Sequence, residues 1–220
     1  MTTTTCTRPA TVTPAASGVL AALEATWAHI AVRHPEVPPV VLIIASGTSG
    51  KHVKWGHHAP QRWHSGGTDH TEVMVSGEGL KRPAREVLGT LLHEATHALA
   101  AARQIKDTSR QGRYHNKQFK ALAEELGITV TCDTRIGWSI TTVPDTTAKT
   151  YARQITALER AMTIWRHGEA ANGGTATRNT NLIAAVCPCA RSIRIAATVL
   201  ADAPVTCGAC GGDFAPKDTP

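Results

Sequence analysis

The residues Glu86 to Arg103, EVLGTLLHEATHALAAAR, constrain this chain more than any other stretch. Apolar side chains at Val87, Leu88, Leu91, Leu92, Ala95, Ala98 and Leu99 recur at helical spacing, so the stretch predicts a largely buried helix. Within it stands His93-Glu94-Ala95-Thr96-His97. A helix turns about 100° per residue, which puts two residues four apart on one face, one turn from each other. Two imidazoles and a carboxylate are costly to bury without a partner. Imidazoles so placed can share one zinc ion at about 2.0–2.1 Å each, and that ion is the expected partner.

H-E-x-x-H is the arrangement in which two His bind metal and the Glu serves as general base, as in metallopeptidases. The third ligand is sought downstream. A helix is predicted from near His115 to Leu126, closed by Gly127, with Phe119, Leu122, Ala123 and Leu126 apolar. On a projection these residues centre about 30° from His115, about 110° from Glu125 and about 150° from Glu124. His115 is therefore the expected third ligand, with a Glu as the alternative. An H-x-x-G-x-x-H extension is excluded, because Ala100 and Arg103 stand where its Gly and last His would be. Three protein ligands leave a place for water, whose proton Glu94 would take as it attacks a peptide carbonyl. Tyr114, Arg113 and His64 are candidates to stabilise the resulting oxyanion, with Tyr114 put forward.

The 220 residues suffice for one medium domain and a small module. Aromatic residues make up 4%, so packing must rely on small aliphatic groups. Residues 1–16, with Cys6, read as a disordered tail without the features of a signal peptide, and no stretch reads as a membrane span. A cytoplasmic protein with no membrane partner is expected. A helix over 17–33 and a buried strand over 40–45 follow. Ser46 to His52 resembles a phosphate loop but fails as one, with Ala45 and His52 at two required positions. Strands are expected near 53–58 and 71–75, the latter as the edge that takes substrate. His52, His57, His58, His64 and His70 crowd this region and are read as facing solvent, with the lining of a cleft by some of them as the alternative, rather than as a second metal site. A hairpin over 128–143, with Cys132 and Trp138 as packing residues, completes a domain over 17–146. A connecting helix over 147–167 and a Gly/Asn/Thr-rich linker over 168–182 follow.

The C-terminal module, residues 183–214, carries Cys187-Pro-Cys189 and Cys207-Gly-Ala-Cys210. Two close Cys pairs on tight turns, with a strand-forming stretch from Ser192 to Leu200 between them, suit a zinc ribbon with one structural zinc. So short a segment holds little core, and metal should be required for its order.

Taken together, Thr90 to Ala98 (TLLHEATHA), His115-Asn-Lys-Gln-Phe119 and the Cys pairs resemble the SprT-like metallopeptidases, the family that includes Spartan-type proteases. The resemblance covers roughly residues 17–130 and 183–214. It implies a zincin-like α+β fold, zinc on His93, His97 and His115, and Glu94 as base. It also implies protein substrates and association with DNA. Members commonly carry Gly after the third His, where this chain has Asn116. A formal net charge of +6 permits contact with nucleic acid. Candidate DNA contacts are Arg103, Lys106, Arg110, Arg113 and Lys117 beside the expected site, and Arg191 and Arg194 in the module. The competing expectation is a non-catalytic DNA- or transcription-associated protein that works through its ribbon.

Overall fold

A computed structural model describes residues 15–49, 52–168 and 182–217. The expected tail with Cys6, and most of the expected linker, lie outside the described residues. The chain divides into two units, Met1–Glu169 and Ala170–Pro220. Both are mixed α and β with small sheets.

In the first unit, helix α1 (Ala15–Arg33) buries Val19, Leu23, Trp27 and Ile30 and leads to strand β1 (Val41–Ala45). A short ribbon, β2 (Thr48–Ser49) and β3 (His52–Val53), precedes a long hairpin of β4 (Gly56–Ser65) and β5 (Thr68–Ser76). Pro60 lies inside β4, where a bulge follows Ala59, and the turn is made at Gly66-Gly67. The main sheet has the order β1-β5-β4, with β1 parallel and β4 antiparallel to β5. The expected substrate edge at 71–75 is thus the central strand, with both of its edges already paired. The edge strands are β1 and β4.

Helix α2 (Ala84–Ala102) starts after Pro83, whose fixed φ suits a helix start. It buries Val87, Leu88, Leu91, Leu92, Ala95, Ala98 and Leu99 against the sheet and neighbouring helices. Each large side chain so removed from water contributes about 1.5–3 kcal/mol. Strands β6 (Thr108–Ser109) and β7 (Tyr114–His115) form a loop hairpin before helix α3 (Lys117–Glu125). Strands β8 (Thr129–Asp133) and β9 (Gly137–Thr142) then complete a second sheet, ordered β6-β7-β9-β8. Cys132 is exposed rather than packed, and Trp138 is half-buried with the Lys120 ammonium over its ring.

The helix expected over 147–167 is two, α4 (Asp145–Thr150) and α5 (Ala152–Ala161), broken at the buried Tyr151. Leu158 is fully buried in the core of the first unit, with Ile155 and Met162 packed against it. These helices therefore belong to the domain and do not connect two domains. After them a strap returns to the sheet, where the Arg166 N–H donates to the Gly77 carbonyl at 2.9 Å.

In the second unit β10 (Leu182–Val186) is flanked by β11 (Ser192–Ala196) and β12 (Ala215–Pro216), with helix α6 (Ala197–Asp202) where the strand was expected to continue. Its buried side chains among the described residues are Ala185, Cys187 and Cys207. That is too little apolar surface to stabilise a fold without a cross-link or metal. Among the described residues no helix is long and apolar enough to cross a membrane.

Candidate metal centre

The three imidazoles converge. His93 and His97 leave α2 on one face, and the ring centroids of His93, His97 and His115 lie 5.0–5.1 Å apart. His115 Nε2 stands 3.2 Å from His97 Nε2. The three residues form a group able to hold a metal ion. His115 gets there by a route other than the one expected. It ends β7, one residue before the α3 cap, so a strand and not a helix face aims it inward. The backbone at 115 is held by its N–H donating to the Ile136 carbonyl at 3.0 Å.

Each ring is oriented from behind through Nδ1. His97 Nδ1 lies 2.5 Å from Asp107 Oδ2, His93 Nδ1 lies 3.5 Å from Thr141 Oγ1, and His115 Nδ1 lies 3.4 Å from the Ile136 carbonyl. Such outer partners fix the tautomer and leave Nε2 to the metal. Phe119, fully buried, underlies all three rings at centroid distances of 4.8, 4.9 and 4.5 Å. Burial lowers His93 well below the usual imidazole range and brings His115 to about 4, with the neighbouring His97 adding to both shifts. Both rings are therefore neutral at neutral pH, the form that ligates. Asp107 is a site residue that the sequence reading did not single out. Its signal is its place, a lone acid between His97 and His115 in a basic stretch.

Glu94 is 5% exposed beside this group. Burial pushes its carboxyl up to about 7 against the opposing fields of His97 and Lys54. Its Oε1 packs against the backbone of β4 so closely that a Cβ on Gly56 would lie 2.3 Å away.

Centre and carboxylate lie in a groove of about 1640 Å³ that follows the open strip of α2 from Arg85 and Glu86 to His97 and Ala101, with Arg82 just ahead of the helix. One wall is Val53 to His58, and the other is Ile136 and Ser139 to Val143. His57 and His58 of the histidine-rich region thus line the groove. His64 is at the far end of the hairpin, paired with Asp69 at 2.8 Å. Tyr114 lies outside the groove lining, with the Arg110 guanidinium over its ring, whereas Arg113 lines the groove.

The basic stretch separates into two kinds of residue. Arg103 is held by Glu36 and Glu125, and Lys120 by Glu124. Lys106, Arg110, Arg113 and Lys117 are exposed, as are Arg191 and Arg194 in the second unit.

Elsewhere in the first unit the carboxylate of Glu78 anchors the β2–β3 ribbon. It accepts from the Gly47 N–H at 3.0 Å, the Thr48 hydroxyl at 2.8 Å and the Arg166 guanidinium at 2.8 Å. Burial alone would raise this carboxyl, but those hydrogen bonds, with one from its own N–H, outweigh it and hold the group at about 2.

In the second unit Cys187, Cys189, Cys207 and Cys210 form the other group able to hold a metal ion. Sγ separations of 3.2 Å (187 to 189) and 3.9 Å (189 to 207) exceed a disulfide bond of about 2.05 Å. Backbone N–H groups of Ala209 and Cys210 bring Cys207 down to about 6, while the neighbouring Cys187 and Cys210 push Cys189 up to about 12. Crowded thiols resist ionising together, and a cation would relieve them. Comparison of the chain with family models, curated proteins and solved structures finds no match.

Proposed function

We propose that this chain is a zinc-dependent peptidase with a zincin-like first unit, similar to the SprT-like family, and a zinc-ribbon second unit. The observation that carries the reading is the convergence of His93, His97 and His115 beside the buried Glu94 in an open groove. The fit to zinc is geometric as well as chemical. Tetrahedral zinc with bonds of about 2.0–2.1 Å sets its nitrogens about 3.3 Å apart, against 3.2 Å between the Nε2 atoms of His97 and His115. Four thiolates at about 2.3 Å would sit about 3.8 Å apart, the scale of the sulfur cluster in the second unit.

When bound, zinc supplies Lewis acidity to a water and to a carbonyl oxygen, which neutral imidazoles alone do not. The chain supplies the rest. Glu94 takes the proton of the attacking water at its carboxylate and passes it to the leaving amine, and a pKa near neutrality suits both halves of that task. Asp107 holds His97 in one orientation. The outer edge of β4, unpaired in the main sheet, offers backbone hydrogen bonds to an extended substrate. The groove exceeds the roughly 300–1,000 Å³ of small-molecule pockets and suits a polypeptide. For DNA-bound proteins as the substrate class, the support is the exposed Lys106, Arg110, Arg113 and Lys117.

Metal analysis and proteolysis test the reading together. Two zincs per chain are expected, falling to one in His115→Ala. Cleavage of an unstructured protein should be abolished in Glu94→Gln with its zinc retained. Absence of cleavage by the zinc-loaded wild type, with and without DNA, refutes the enzyme. Affinity for DNA that does not fall with salt refutes the phosphate contacts.

A further inference from the structure

The groove has direction. Thr90 and Glu94 pack on Gly56, and the His97 ring stacks at 6.2 Å on that of His58, so β4 runs along α2 in the same sense. On the other wall Gly137 pairs with His115, while the Val143 carbonyl takes the Arg85 guanidinium, so β9 runs the opposite way. The side of β9 towards β7 is paired only at Gly137, and Ser139 to Thr142 line the groove. From Glu86 to His97 the floor is about 16 Å long at 1.5 Å per residue, the reach of about five residues of extended chain.

Both walls carry large apolar side chains out to solvent. Val53 and Trp55 are each 42% exposed, with Trp55 stacked under Arg82 at the Glu86 end. Ile136 and Ile140 are 43% and 48% exposed, with Ile136 beside His115 at the other end. Of the ten large apolar side chains exposed among the described residues, these four line one groove. Apolar surface concentrated in this way marks a binding face, since isolated exposed apolar residues would scatter. Of the four cations that line the groove, Lys54 and Arg113 are exposed, while Arg82 and Arg85 are engaged within the chain. Arg82 donates to the Gly79 carbonyl and the Thr90 hydroxyl, and Arg85 to the Val143 carbonyl and Asp145.

We infer that the groove selects extended peptides with large apolar side chains on both sides of the bond presented to Glu94. Val53 and Trp55 receive one side, and Ile136 and Ile140 the other. This deepens the peptidase reading and rests on it for the nature of the occupant.

The test separates binding from catalysis. Two fluorescein-labelled peptides of equal length and charge, one with Leu and Phe about its centre and one with Ser and Asn there, are titrated against zinc-loaded, full-length Glu94→Gln protein. The apolar peptide should bind at least about tenfold more tightly, the scale of burying one large side chain. Val53→Ser and Ile136→Ser, made in the same background and retaining both zincs, should each reduce that preference about fivefold. Equal affinity for the two peptides, or binding of neither, overturns the inference. So does an undiminished preference in both variants. A preference for the apolar peptide without any cleavage by the wild type would refute the peptidase reading alone and leave the selectivity standing.

Discussion

Gly56 is the residue at which the edge strand meets the proposed base, and replacing it with Ala tests that contact. The added Cβ would lie 2.3 Å from Glu94 Oε1 and 2.7 Å from Thr90 Cγ2. Ordinary contact begins near 3.4 Å, so one partner must retreat by about 1 Å. Helix α2 cannot, because Leu91, Leu92 and Ala95 are fully buried around Glu94. The carboxylate therefore yields, and a displacement of about 1 Å in a catalytic group costs about a hundredfold in rate. Gly56→Ala should lower kcat by about that factor. Its zinc content should stay at two per chain, since the close contacts at Gly56 are Glu94 and Thr90 and no metal ligand is among them. Steady-state cleavage of an unstructured protein, zinc analysis and a thermal melt on the same preparation give the three readings. A folded, zinc-replete variant with kcat within about threefold of wild type would refute the placement of Glu94 as base.

Asp107→Asn should weaken zinc binding in the first unit by about 10–100-fold in a chelator competition, because His97 loses the carboxylate behind it. Glu78, held at about 2 against an ordinary 4.5, contributes stability that is complete above pH 4.5 and is lost as pH falls towards 2. Denaturant unfolding of Glu78→Gln at several pH values should show that acid dependence reduced relative to wild type. Asn116→Ala should destabilise the first unit by about 1 kcal/mol in the same assay, and Asn116→Gly by less. Stripping metal should unfold the second unit while α1 and the main sheet persist, a difference that hydrogen exchange resolves.

Helix α2 was legible because its apolar period and its two His lie within one continuous stretch, where spacing and geometry are the same thing. The Cys group was legible for a similar reason, each pair sitting on its own turn. Edge and centre of the main sheet were not. Val73 to Ser76 are buried whether their strand is flanked on one side or two, and only the parallel pairing of β5 with β1, some thirty residues away, decides it. The connector failed likewise. The stripe Ile155, Leu158 and Met162 fits any amphipathic helix, and the burial of Leu158 in the first unit is a long-range fact. Trp165, within the helix expected over 147–167, is 46% exposed because the helix ends at Ala161. Arg103 shows the limit of counting charge along a sequence, since the acids that hold it are 67 and 22 residues distant.

His115 joins the other two imidazoles from a strand and not from the expected helix, and Asn116 explains why. Its Oδ1 accepts from the N–H groups of Gln118 at 2.8 Å and Phe119 at 3.2 Å, so Asn116 is the cap, the helix begins after it, and residue 115 is left extended. Its backbone, at φ −93° and ψ −174°, is an extended conformation open to any residue, so nothing there requires glycine. Its other contacts run to the preceding loop. Nδ2 donates to the Lys106 carbonyl at 2.7 Å, and its N–H to the Asp107 carbonyl at 2.9 Å. One amide side chain and its backbone thus tie His115 to the loop that holds Asp107 and to the helix start that carries Phe119. A glycine at 116 would accommodate the same backbone and leave His115, Asp107 behind His97, and Phe119 beneath the rings to be aligned by other contacts.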